Sequence, residues 1–163
     1  MPGHFTMNET LITLKAIFEK HKDERVCVIG TICVGKTTLF RELSEYHCED
    51  LDDVLWPNIP KKEAACLNEL NETPWTPEHG TEMRRLIAKY GVAKPGRPLF
   101  GSTILDCEAV VYLDISDALL ARHCAQRGDS FEYAKKYKEA IEDDWNNHKT
   151  KSDKVFYCLT VME

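Results

Sequence analysis

One hundred and sixty-three residues suffice for one domain with a buried core and are too few for two of ordinary size. Apolar residues make up 43% and charged residues 29%, which is ordinary for a soluble globular protein and excludes a disordered chain. A formal net charge of −6 argues against a nucleic-acid polymer as partner, while leaving room for a local basic pocket that takes a small anion. The seven cysteines (Cys27, Cys33, Cys48, Cys66, Cys107, Cys124 and Cys158) are scattered, odd in number and never spaced C-x-x-C, which disfavours a disulfide framework and a zinc site. With no secretory h-region at the start and no apolar run of about 18 residues, a cytoplasmic or otherwise reducing location and no membrane partner are expected.

The elements follow in chain order, without internal repeats. Residues 9–22 set Leu11, Leu14, Ile17 and Phe18 at helical spacing and predict an amphipathic helix. The run from Arg25 is short, apolar and β-branched, and it ends at Gly30, as a buried strand of a parallel sheet would. After a glycine-containing turn, Lys36–Tyr46 places Leu39, Phe40, Leu43 and Tyr46 on one side of a helix. A weak acidic strand is expected over Cys48–Asp52. The segment 56–96, rich in Pro, Trp and charge, holds two expected helices, roughly 61–71 and 77–90; Thr76-Pro77 opens the second and Gly91 closes it. A third strand falls within Arg97–Thr103, and Ala109–Ile115 is the clearest strand in the chain. A helix then runs between a Ser116 cap and a Gly128 stop. Another follows from Ser130, with Phe131, Ala134, Tyr137, Ile141 and Trp145 at three- and four-residue steps. Lys154–Val161 is the last strand.

Strands alternating with helices imply a three-layer α/β/α sandwich around a five-stranded parallel sheet. Ligands on such sheets bind beyond the carboxyl ends of the strands, where Gly30, Asp52, Gly101 and Asp114 are expected to emerge.

One motif on that edge is specific. Gly30-Thr31-Ile32-Cys33-Val34-Gly35-Lys36-Thr37 satisfies G-x-x-x-x-G-K-[ST] in full. Its glycines let the backbone turn tightly and aim successive N–H groups inward, and the following helix adds its dipole. Lys36 supplies a point charge for β- and γ-phosphates, and the Thr37 hydroxyl can ligate magnesium, with Thr38 next in line. The stretch resembles the Walker A loop of P-loop NTPases, which implies a P-loop NTPase fold with ATP and Mg2+ as cofactors. A switch GTPase would also carry D-x-x-G and a base-reading N/T-K-x-D after a late strand. The first is missing, and "TKSD" (Thr150–Asp153) precedes its strand, at the wrong end to touch a base.

The remaining order resembles the small P-loop kinases of the adenylate kinase-like, shikimate kinase-like and gluconate kinase-like branch. Asp50 and Asp52, two apart and so on one face of a strand, with Asp53 beside them, look like the D-x-D of shikimate kinases and the acidic turn of gluconate kinases. That resemblance implies that they position an acceptor hydroxyl and magnesium-bound water, with Asp52 the candidate to orient or deprotonate the acceptor. A strand ending in Leu-Asp followed by an arginine-bearing helix implies a lid, about residues 120–137, in which Arg122 and Arg127 neutralise the transferring phosphoryl group. Lys135 and Lys136 are weaker candidates. The insertion 56–96 would bind the acceptor, with Arg84 and Arg97 as candidates for an acidic group. Trp56 and Trp75 are candidates for stacking, with the core as the simpler reading for each. One departure stands out: the third strand ends in Gly101-Ser102-Thr103, without the carboxylate common there, so Asp52, Asp50 or Asp106 would have to serve.

The expected protein is a single domain over residues 1–163, a monomer or homodimer, that moves the γ-phosphoryl of ATP to a small-molecule acceptor. The competing expectations are a nucleotide-binding adaptor or degenerate kinase, and an ATPase that drives a partner.

Overall fold

The apolar run after Arg25 folds as β2 (Val26–Ile29), with all four side chains buried. Parallel strands flank it on both sides: β5 (Ala109–Ile115) pairs Val28 with Val111, and β4 (Leu99–Gly101) pairs Val28 with Phe100. The computed structural model describes residues 2–72 and 76–162. Among them the sheet has six strands, all parallel, completed by β1 (Pro2–Phe5), β3 (Glu49–Asp50) and β6 (Val155–Val161), in the order β1-β6-β5-β2-β4-β3.

Side chains alternate across this sheet, so each strand feeds two cores. Val26, Val28, Val111, Leu113 and Ile115 point to one face. There they meet α1 (Met7–Lys20), α2 (Lys36–Glu42) and α6 (Asp117–Arg127) through Leu14, Phe18, Leu39, Leu119 and Leu120, with Leu43 just past the end of α2. Cys27, Ile29, Val110 and Tyr112 point to the other. They meet α3 (Leu51–Leu55), α5 (Pro77–Tyr90) and α7 (Phe131–Lys151) through Leu51, Leu55, Leu86, Ile87, Ile141 and Trp145. The remaining helix, α4, spans Lys61–Glu72. The result is the expected three-layer α/β/α architecture around a parallel sheet. Phe100 is fully buried and meets Phe18 and Phe40 edge-on at 6.5 and 5.7 Å. Truncating such a ring to alanine costs about 3–5 kcal/mol.

Caps set the helix ends. Thr6 and Glu9 form a reciprocal capping box on α1. Thr76 caps α5, Ser116 caps α6 and Ser130 caps α7, each through its hydroxyl, and Gly128 ends α6 at φ 73°.

The five expected strands are all present; β1 is an addition at the sheet edge. Its four residues include Pro and Gly and carry little strand signal of their own, so pairing with residues 158–161 of β6 decides its conformation. The acidic strand is shorter than expected. Asp50 leaves it to cap α3, its carboxylate accepting from the Asp52 amide at 2.9 Å. The second helix ends at Glu42, and a 3-10 turn over Ser44–Tyr46 continues the path. Trp56 lies in another such turn, half-buried against the second core, and Trp75 falls outside the described residues.

Two features position the site. From β2 the chain crosses to β3, returns to β4, and then places β5 on the far side of β2. The carboxyl end of β2 is therefore the switch point, where the crevice opens. The return from β4 to β5 is unusual, because residues 102–108 run back without a helix. That length of extended chain reaches about 23–25 Å, enough to descend past a three-residue strand. Ile104, Leu105 and Cys107 are buried along it, in the same core as α5 and α7. No helix among the described residues is long and apolar enough to cross a membrane.

Candidate active site

The glycine-containing turn sits at the switch point and has the geometry that its residue types predict. Gly35 lies at φ 112°, a value that disfavours any side chain. Gly30 is enclosed: an added Cβ would come within 2.9 Å of Val34 Cγ1 and 3.3 Å of Leu113. Cys33 takes a left-handed conformation, φ 64°, without being glycine. Gly35 precedes α2 and supplies no side-chain cap, so the first amides of the helix remain available to a ligand. As α2 has only seven residues, the cradle depends on the loop amides more than on a macrodipole.

The loop is tied to its neighbours on every side. Lys36 Nζ donates to the carbonyl of Gly30 and, at 3.1 Å, to that of Gly101, bridging the ends of β2 and β4. Thr31 is buried, and its hydroxyl donates to the Ala134 carbonyl of α7 at 2.7 Å. His123 Nδ1 of α6 donates to the Cys33 carbonyl at 2.8 Å, and the Cys33 thiol donates to Asp129 at 3.1 Å. Burial, Asp129 and Cys124 push that thiol up to about 12, so Cys33 is a structural thiol at neutral pH.

Beside the loop opens a cleft of ≈ 260 Å³. Ile32, Cys33, Lys36 and Thr37 form one wall, Asp50 and Asp52 a second, and Ser102, Arg127 and Tyr137 a third. Burial pulls the Lys36 ammonium down to about 8, against the opposing pull of Asp50 and Asp52. The same cleft raises Asp52, through burial first and the charge of Asp50 second, with Lys36 opposing. The two carboxylates thus share a site with one lysine, and the charges are poised for an anionic ligand on the lysine side.

Several expected residues therefore converge, although not all by the expected route. Asp50 and Asp52 do not share a strand face; the first turn of α3 brings both to the cleft. Asp53 is exposed on α3 outside the lining. Arg127 lines the cleft, 3.5 Å from Asp129, whereas Arg122 is exposed on α6 outside it. Gly30 and Val34 are buried beneath the loop, and Thr38 is exposed away from the cleft lining. Arg84 lies on α5 and lines an adjoining pocket. Arg97 is a correction. It precedes β4, in a turn bridged to Lys94, and so sits at the amino end of the sheet, opposite the cleft. Asp106 is another. It holds Arg25 at 2.9 Å at the amino end of β2 and cannot replace a carboxylate after β4.

Sequence reasoning gave Ser102 and Tyr137 no part in the site. Their hydroxyls are hydrogen-bonded at 2.9 Å between the end of β4 and α7. The available signal was a hydroxyl at a core-facing position of an amphipathic helix, which needs a partner when buried.

No family model matches the chain, and no curated protein matches it in sequence. Among solved structures, a gluconokinase from Sinorhizobium meliloti 1021 matches over 85% of this chain and 83% of its own, at 14% identity and a TM-score of 0.39. Values this low lend the match no weight, and the fold class rests on the chain's own sheet order and loop.

Proposed function

We propose that the chain is an ATP-dependent phosphotransferase acting on a nucleoside, a nucleotide or a small hydroxylated metabolite. The supporting observation is the complete G-x-x-x-x-G-K-[ST] loop at the switch point, with Lys36 facing Asp50 and Asp52 across one cleft. Loop amides and Lys36 grip the β- and γ-phosphates, and Arg127 neutralises the transferring group. The expected lid over about residues 120–137 is a fixed flank instead, since Leu120, Cys124 and Ala134 are buried in the first core and His123, Asp129 and Ala134 are hydrogen-bonded to the loop. This leaves Arg122 outside the cleft.

Magnesium fits the residues present. The Thr37 hydroxyl and two carboxylates are hard oxygen donors, and a divalent cation would offset the burial and the Asp50 charge that raise Asp52. Thr37 and Asp52 would hold it, and it would supply charge neutralisation at the phosphates. The acceptor hydroxyl oxygen forms a bond to the γ-phosphorus, and its proton passes to the Asp52 carboxylate. The bond from the γ-phosphorus to the β–γ bridging oxygen breaks, and ADP leaves with that electron pair. The insertion over 56–96 supplies the acceptor side through Arg84. On this reading the chain works in the cytoplasm as one domain, monomeric or homodimeric.

A second reading has its own observation: β4 ends at Gly101 with Ser102 and Thr103 following, and no carboxylate there lines the cleft. A nucleotide-binding adaptor that has lost the chemistry would look like this. Incubation with ATP, Mg2+ and a panel of glycerate, gluconate, ribitol, adenosine and AMP separates the readings. ADP formation that rises with one acceptor supports phosphotransfer. Saturable ATP binding with no ADP under any acceptor supports the adaptor, and acceptor-independent ADP formation supports an ATPase.

A further inference from the structure

The cleft does not end at Ser102 and Tyr137. Both residues also line a second, smaller pocket of ≈ 40 Å³ between α5 and α7. Met83, Ile87 and Ile141 give that pocket apolar walls, and Arg84, Thr103 and Asp144 give it polar ones. It exists because residues 102–108 run back along the sheet without a helix, leaving the flanks of α5 and α7 facing one another over Ser102 and Thr103. Among the described residues, Tyr137 and Ser102 are the lining shared by the phosphate cleft and the pocket, hydrogen-bonded to each other at 2.9 Å.

The chemistry of two paired hydroxyls is specific. One O–H is spent within the pair, and one O–H and the remaining lone pairs face outward. Such a pair can donate to and accept from an alcohol at the same time, and it carries no charge that would compete with the phosphates. Asp52 lines the same cleft and acts electrostatically on the Tyr137 phenol, so pair and carboxylate share one space.

We propose that the Ser102–Tyr137 pair positions the phosphoryl acceptor, holding its reactive hydroxyl at the neck where the larger cleft meets the small pocket between α5 and α7. Ser102 follows the β4 carbonyl that Lys36 engages, so the pair and the phosphate-binding lysine share one strand end. Tyr137 reaches it from the second turn of α7, a helix anchored to the loop through Ala134 and Thr31. An acceptor oxygen on this pair would share one cleft with Lys36 and Asp52, as transfer from a loop-bound phosphate requires. Tyr137 and Ser102 are positioning residues, since the proton goes to Asp52.

The inference rests on the phosphotransfer reading, and its test keeps the two apart. Wild type, Tyr137→Phe, Ser102→Ala and Ser102→Thr are assayed with ATP, Mg2+ and whichever of glycerate, ribitol or adenosine supports most turnover. Binding of a non-hydrolysable ATP analogue is measured in parallel. Tyr137→Phe keeps the ring and its packing, so it folds as wild type. The expected result is a loss of about 10–100-fold in acceptor-dependent kcat/KM for Tyr137→Phe and for Ser102→Ala. Analogue affinity is to stay within about 2-fold, and Ser102→Thr is to keep most of the activity. Activity within about 2-fold of wild type in both deletions overturns the inference and leaves phosphotransfer standing. So does a parallel loss of analogue affinity, which would make the pair a structural strut. Wild type that binds the analogue yet forms no ADP with any acceptor overturns both.

Discussion

The cleft and its adjoining pocket are lined by two regions built in different ways. One, the proposed nucleotide wall, is eight consecutive residues, Gly30–Thr37, whose conformation is dictated by what each residue can do locally. The other, the proposed acceptor wall, is assembled from α3, the end of β4, α5 and α7, elements that meet only after the sheet has formed. A local wall is specified by residue type and spacing, and a distributed one by topology. Damage to the first should be local and severe. Damage to the second should be graded and depend on which acceptor is offered.

The largest effect is expected at the lysine. Lys36→Ala removes the charge facing the phosphates and should lower phosphotransfer by about 10³-fold or more. Its melting temperature should remain near wild type, because the lost bonds to Gly30 and Gly101 are two strand-end contacts. A comparable fall in melting temperature would make Lys36 a structural residue and erase the contrast between the walls.

Asp52→Asn follows. Turnover should fall by about 10²-fold, with ATP affinity changing by far less, read as separate effects on kcat and on analogue affinity. Equal losses in both would take Asp52 out of the acceptor side.

Gly30→Ala tests the local wall through packing. Its Cβ would sit 2.9 Å from Val34 Cγ1, with backbone and side chain of Leu113 at 3.3 Å. A destabilisation of about 1–3 kcal/mol is expected by denaturant melts, together with weakened ATP binding.

A smaller, pH-dependent effect comes from Lys36, which burial lowers from 10.5 to about 8. In the unfolded chain the group titrates at the higher value, so between about pH 8 and 10.5 the unfolded state binds more protons and stability rises with pH. Below about pH 8 both states are protonated, and the burial penalty is fully present. ATP affinity moves the other way, falling as pH climbs through about 8, because the neutral amine has no charge to offer. Analogue titrations from neutral to alkaline pH read this directly. The smallest effect belongs to Arg97→Ala, at the amino end of the sheet, where activity should stay within about 2-fold.

These contrasts also mark how much was legible in the chain. The loop, its strand and its helix could be read because glycine, lysine and threonine requirements act over a few residues. Strands β2, β5 and β6 carried their own apolar signal. The D-x-D stretch misled in detail: Asp50 can satisfy the Asp52 amide, and an aspartate with that option breaks a strand to cap a helix. Arg97 and Asp106 were drawn toward the cleft by nearness in sequence. In a parallel sheet, however, residues before a strand lie at its amino end, so direction already excluded both. Tyr137 was read as a core position of an amphipathic helix. Its hydrogen bond to Ser102 depends on the helix-free return from β4 to β5, a path that no local pattern announces.

Soaking or co-crystallising the protein with Mg2+ and a non-hydrolysable ATP analogue tests the account most directly. The γ-phosphate should lie about 3 Å from the amides of Gly35–Thr37 and from Lys36 Nζ, with the lysine drawn off the Gly30 and Gly101 carbonyls. An analogue bound elsewhere, with Lys36 still on those carbonyls, would contradict it.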